Sequence, residues 1–86
     1  MKLKYDFQIQ ELMDQYFAVP VGDNSEELGG MIKLNETGKR ILELLQEETD
    51  LDSVIQALLA EYDAPESVLR EEVEKMIAVL HSEDII

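Results

Sequence analysis

The first part of the chain alternates between apolar and polar residues with a period of two. The apolar members of this pattern are Leu3, Tyr5, Phe7 and Ile9. Because successive side chains of a strand point to opposite sides, the alternation predicts a half-buried β-strand over residues 3–9. After a turn at residues 13–15, the aromatic and β-branched run Tyr16–Val21 predicts a second strand. Pro20 cannot donate to a ladder, so we expect this strand to lie at a sheet edge or to end at the proline.

A third strand is predicted over Leu28–Leu34, after the turn-forming cluster Gly22–Ser25. It contains Gly29 and Gly30, which either form a bulge or let another backbone come close. As the last strand of an antiparallel meander, it is expected at a sheet edge. Such an edge carries unpaired amide and carbonyl groups, and these can accept an extended peptide.

From Asn35 onward the spacing of apolar residues becomes helical. Asn35 can cap the first helix, the segment Thr49–Asp52 supplies the next cap, and Pro65 suits the start of a helix, so we predict helices over 36–45, 51–62 and 65–81. The order of elements predicts an α+β fold of winged-helix-like type. Its three-stranded antiparallel meander is followed by a three-helix layer that covers one face of the sheet, in a single domain of residues 1–86.

The third helix is apolar over about half its circumference, whereas covering a small core needs a stripe of roughly 100°. The residues expected to face the core are Leu69, Val73, Ile77 and Leu80. The residues expected on the remaining flank, which could line a groove, are Val68, Glu72, Met76 and Val79. A helix wrapped more fully by a small domain explains the same arc, and a methionine on it suits a core as well as a binding surface.

Composition excludes several classes of function. Twenty acidic against 7 basic residues give a net charge of −13 over 86 residues, and such a chain is repelled by phosphate backbones and anionic lipids. We therefore expect no nucleic acid and no membrane partner. With no cysteine and one histidine, we expect no disulfide, metal, cofactor or catalytic residue. Because no apolar run could span a bilayer or serve as a signal peptide, the protein is expected to be cytoplasmic.

The string Leu34–Gly38, which reads Leu-Asn-Glu-Thr-Gly and is followed by Ile41, Leu44 and Leu45, resembles the PqqD-like family. These small peptide chaperones are also called RiPP recognition elements. The resemblance runs from the third strand at Gly30 through the joint Tyr62–Glu66 to the terminal Ile85 and Ile86. In that family a Trp often follows the position of Ile41, and Leu42 stands here instead.

The resemblance implies a domain that binds the leader segment of a ribosomally made precursor peptide. The leader adds as a strand beside the third strand, in the cleft formed with the third helix. The chaperone does no chemistry and presents the leader to a modifying enzyme, frequently a radical S-adenosylmethionine protein, in pyrroloquinoline quinone biosynthesis or a related natural-product pathway. The implied peptide-binding residues are Met31, Ile32, Lys33, Leu69, Glu72, Val73 and Met76. Both a monomer and a homodimer are compatible with the sequence.

The high acidity has two interpretations. It leads us to expect Lys or Arg on the leader or on the enzyme surface, and it equally serves solubility.

Two alternatives remain open at this point. Asp52-Ser53-Val54 at a helix start is similar to the phosphopantetheine site of an acyl carrier protein, with Ser53 as the modified residue. However, carrier proteins are built from helices, and Ser53 is equally suited to the first turn after a cap. The second alternative is a degenerate winged-helix interaction module, although its second helix lacks the Lys and Arg that reading DNA requires.

Overall fold

The computed structural model describes residues 1–22 and 31–86. In this part of the chain the strands are β1 (Asp6–Leu12), β2 (Gln15–Val21) and β3 (Ile32–Leu34), and the helices are α1 (Glu36–Leu44), α2 (Leu51–Glu61) and α3 (Glu66–Ser82). This order confirms the predicted α+β fold, and the helix ends agree with the expected ones within one residue. Residues 23–30, which include the start of the predicted third strand, lie outside the described residues.

The three strands form one antiparallel sheet in the order β1-β2-β3. Met13 and Asp14 connect β1 to β2 and both have positive φ, 53° and 64°, which matches the turn of a tight two-residue hairpin. The residues that flank this turn, Leu12 and Gln15, lie opposite each other. On the other side of β2, the paired residues are Tyr16 with Leu34, Phe17 with Lys33, and Ala18 with Ile32.

The core lies between one face of the sheet and the helical layer. The sheet contributes the buried side chains of Phe7, Ala18 and Leu34. The helices and the residue after α1 contribute Ile41, Leu42, Leu45, Val54, Ile55, Leu58, Leu69, Val73 and Leu80, all buried. Removing this apolar surface from water is the main favourable term in folding such a small chain.

The prediction that the first strand begins at residue 3 is wrong, since β1 begins only at Asp6. Leu3 and Tyr5 keep the expected inward orientation, because Leu3 is buried and Tyr5 half-buried. Their segment pairs with different partners, however. The Leu3 amide donates to the carbonyl of Leu45 at 3.0 Å, and the Lys4 amide donates to the carbonyl of Ile85 at 2.7 Å. The N-terminal segment therefore ties the end of α1 to the C-terminal residues.

Among the residues that the structure describes, no helix is long and apolar enough to cross a membrane.

Candidate functional site

The main-chain groups of β3 can be assigned a direction from the hairpin beside it. Leu12 and Gln15 flank a two-residue turn, so they form a hydrogen-bonded pair. Because hydrogen-bonded and non-hydrogen-bonded pairs alternate in an antiparallel ladder, every second residue of β2 from Gln15 onward directs its amide and carbonyl to β1. The intervening residues Tyr16 and Ala18 direct theirs to β3. Their partners Leu34 and Ile32 therefore use their main-chain groups inside the sheet.

The N–H and C=O of Lys33 consequently point away from β2. Among the described residues, β3 is hydrogen-bonded to β2 alone, so these two groups lie on an open edge. This is the unpaired strand edge that the meander order predicted.

The same alternation explains how β2 can contain a proline. The nitrogen of Pro20 points away from β1, on the side of β2 that faces β3. Among the residues that the structure describes, Ala18 is the last residue of β2 that pairs with β3, so no described ladder bond requires a donor at Pro20. The expectation that Pro20 marks an edge strand or a strand end is therefore wrong, because β2 is central and continues to Val21.

A groove of about 450 Å³ separates the open edge of β3 from α3, and we call it the β3–α3 groove. Its residues from β3 are Ile32, Lys33 and Leu34, those from α3 are Glu72, Lys75, Met76 and Val79, and those at its base are Asn35, Gly38 and Ile41. The four α3 residues are spaced i, i+3, i+4 and i+7, so they form one face of the helix. Helix α1 packs against both β3 and α3 and so holds the two walls of the groove apart.

The base of the β3–α3 groove is built by the Leu34–Gly38 string. Leu34 is buried in the core, and the Asn35 Oδ1 accepts a hydrogen bond from the Gly38 amide at 2.6 Å, which caps α1. A Cβ on Gly38 would lie only 3.0 Å from that oxygen. Glycine therefore allows a close cap and adds no side chain at its own position in the groove base.

The structure brings together four of the seven residues implied to bind peptide, since Ile32, Lys33, Glu72 and Met76 line the groove. Met31 is exposed just before β3 and is not one of the lining residues. Leu69 and Val73 are 4% and 0% exposed and belong to the core, because they lie on the face of α3 that packs against the other helices.

The flank expected on α3 is present in its C-terminal half. Met76 and Val79 line the groove together with Glu72, whereas Val68 is exposed outside it. Sequence reasoning missed Lys75, although its spacing of three from Glu72 and four from Val79 places it on the same helix face.

The charges around the groove differ from those of the whole chain. Two of the 7 basic residues, Lys33 and Lys75, are among its lining residues beside a single carboxylate, Glu72. Lys33 adjoins the groove through its main chain, because its side chain alternates to the outer face of the sheet. The Lys75 ammonium lies 3.4 Å from an oxygen of Glu71 in an exposed ion pair. No described residue forms an ion pair with Lys33 or Glu72. In the described part of the chain, no group of three or more His, Cys, Asp or Glu is arranged to hold a metal ion.

Comparison with known proteins identifies the family. The model of the family described as coenzyme PQQ synthesis protein D (PqqD) matches residues 21–86. The chain belongs to the PqqD family. This confirms the resemblance found in the Leu34–Gly38 string, which lies inside the matched region.

A solved structure of TbiB1 in complex with the TbiA(beta) leader peptide is similar to this PqqD family member, with a TM-score of 0.72 and 19% identity. The similarity covers 99% of this chain and 93% of that chain, and it establishes a shared fold. A search of curated proteins found no match.

The acyl carrier alternative loses its support in this fold. The three-stranded sheet is not part of an all-helical carrier. Ser53 lies in the first turn of α2, where its amide donates to the Asp50 Oδ1 at 2.7 Å. The Asp50-to-Ser53 spacing is thus that of a helix cap.

Proposed function

We propose that this protein is a non-catalytic peptide chaperone, a RiPP recognition element. It binds the leader segment of a ribosomally synthesised precursor peptide as an added strand on β3 and presents it to a modifying enzyme. The observation that carries the proposal is the open edge at Lys33 directly beside the apolar β3–α3 groove. The shared fold with a protein whose structure contains a leader peptide adds support.

Binding by strand addition uses two kinds of contact. The outward N–H and C=O of Lys33 pair with the main chain of the peptide and provide sequence-independent affinity. Alternate peptide side chains enter the groove, where Ile32, Met76 and Val79 provide apolar contacts and Glu72 a polar one. Met31, exposed at the start of the edge, extends the contact along the strand.

Leu69 and Val73 have a supporting role in this proposal. Both are buried in the core, so they hold α3 at its distance from β3 and do not contact the peptide. The described part of β3 is three residues long, so the strand bonds are few and the groove must provide much of the affinity. We expect micromolar to submicromolar binding, about 8 to 10 kcal/mol at a one-molar standard state.

The chemistry of the pathway belongs to a partner enzyme. The residues that line the groove include Glu72 as their one carboxylate and no Ser, Cys or His, so a nucleophile with an adjacent base is not formed there. The family relation favours a radical S-adenosylmethionine enzyme in pyrroloquinoline quinone biosynthesis or a related pathway. Because ribosomal precursors are made in the cytoplasm, we place the protein there.

A direct binding experiment tests this function. The leader of the precursor peptide encoded beside the gene is synthesised with a fluorescent label, and its affinity is measured by anisotropy. We expect the core segment of the same precursor to bind at least tenfold more weakly, because the leader is the part recognised. Met76→Glu, which places a carboxylate in the groove, should also weaken leader binding at least tenfold. Leader binding that is absent in the unmodified protein contradicts the proposal.

A further inference from the structure

The register of β3 restricts the chemistry of the peptide, and this restriction rests on the proposed function. Side chains alternate between the two faces of a strand. Leu34 and Ile32 face the core side, because Leu34 is buried and Ile32 half-buried in the core cluster. Lys33 is exposed, and its side chain is directed to the opposite, outer face of the sheet.

A peptide residue hydrogen-bonded to Lys33 lies directly opposite it in the extended sheet. Paired residues of neighbouring antiparallel strands place their side chains on the same face, with Cβ atoms about 5 Å apart. The side chain of that peptide residue is therefore next to the Lys33 ammonium on the outer face. The side chains of the residues before and after it are directed to the groove, toward Met76 and Val79.

The row of side chains that this peptide residue joins contains one cation and no carboxylate. Across the described sheet the row is Gln10 on β1, Phe17 on β2 and Lys33 on β3. No described residue forms an ion pair with Lys33. On the groove side, Glu72 would repel an acidic side chain that entered the groove, and the cation that lines the groove, Lys75, is already paired with Glu71.

We propose that the protein selects an extended segment with the pattern apolar–acidic–apolar. The Asp or Glu of this segment pairs with Lys33 on the outer face, and its two apolar neighbours enter the β3–α3 groove. This differs from the partner rich in Lys or Arg that the net charge alone leads one to expect. Exposed charges farther away than a Debye length of about 8 Å are largely screened at physiological salt, so the adjacent Lys33 determines the preference at this position.

Selection from a random peptide library tests the pattern and does not require the precursor to be identified. Phage displaying 12-residue random peptides are selected on immobilised protein, with Met76→Glu as the background. We expect enriched peptides to carry Asp or Glu between two apolar residues. Lys33→Glu should change the preference at that position to Lys or Arg. Lys2→Glu, which makes the same charge change on an exposed residue away from the groove, should keep the preference of the unmodified protein.

Synthetic peptides then measure the effect. Replacing the acidic residue of an enriched peptide by Lys should weaken binding to the unmodified protein about fivefold and strengthen binding to Lys33→Glu. Moving the acid by one position, so that it enters the groove, should weaken binding at least as much.

The outcomes separate this inference from the proposed function. Enrichment of alternating apolar residues with no charge preference between them overturns the role of Lys33 and leaves strand addition standing. Lys33 would then only protect the strand edge against aggregation. No enrichment over the Met76→Glu background overturns both.

Discussion

Val79 provides a quantitative test of the β3–α3 groove. It lines the groove and is 53% exposed, so about half of its side-chain surface is available for a peptide to cover. Val79→Ala removes two methyl groups, which contribute about 1.6 kcal/mol when they are completely buried, and covering their exposed half should contribute about 0.8 kcal/mol on binding. Val79→Ala should therefore raise the Kd of the leader about fourfold.

Val79→Glu should have a larger effect, at least tenfold, because peptide binding would bury an unpaired carboxylate. Val68 is the matched control, since it is 48% exposed on the same helix and lies outside the groove. Val68→Ala and Val68→Glu should change the Kd less than twofold. Anisotropy titration of a labelled leader gives the Kd, and thermal unfolding of the same samples verifies that each variant is folded.

Two results would refute this reasoning. Equal weakening at Val79 and Val68 would mean that the peptide covers the whole exposed surface of α3. An unchanged Kd in Val79→Glu would mean that the peptide binds elsewhere. The apolar depression on the other side of α3, lined in part by Leu51, Ile77 and Ala78, would then be the place to examine.

Three further predictions follow from the hydrogen bonds of the fold. Lys33→Pro should weaken leader binding at least fivefold with little loss of stability, because the lost amide faces the open edge. Ile32→Pro should instead destabilise the protein by about 1–3 kcal/mol, because it removes a hydrogen bond inside the sheet. Titration of the labelled leader measures the binding, and chemical denaturation measures the stability. Asn35→Ala should cost about 1 kcal/mol in chemical denaturation through loss of the α1 cap. The Ser53 amide, which donates to Asp50, lowers the pKa of that carboxyl, so the cap should stabilise the protein above about pH 4 and fade as the pH falls through the lowered value. Asp50→Asn should lack this acid-dependent loss in denaturation curves recorded at several pH values.

Each of these predictions has a contrary outcome. If Lys33→Pro and Ile32→Pro lose stability equally, the assigned main-chain directions of β3 are incorrect. A stability of Asn35→Ala equal to that of the unmodified protein would show that the cap bond adds nothing. If Asp50→Asn loses stability in acid in parallel with the unmodified protein, other carboxyls account for the acid response.

The helices could be predicted closely because their start signals are local. Asn35 and Asp50 each accept a hydrogen bond from an amide three residues ahead, and this contact depends only on nearby sequence. Pro65 marks the start of α3 equally well, since Glu66 is its first residue. The strand pattern at residues 3–5 was less informative. Alternation reports an extended backbone with one buried face, and it does not tell which segment supplies the hydrogen bonds.

The groove could be predicted only in outline. The broad apolar arc of α3 indicated a surplus flank, and Met76 and Val79 do form it. Which apolar residues remain accessible depends on the rotation of α3 against the other helices, a tertiary property. For that reason Leu69 and Val73, implied by the family resemblance to contact peptide, lie in the core.

The central claim is that an extended peptide pairs with the open edge of β3 at Lys33. Amide hydrogen exchange, followed by NMR with and without the leader peptide, tests it most directly. In the free protein the amides of Ile32 and Leu34 should be protected, because they bond to β2, and the Lys33 amide should exchange rapidly. The account predicts that the peptide slows exchange at Lys33 in proportion to its occupancy. Rapid exchange at Lys33 in the saturated complex would contradict it.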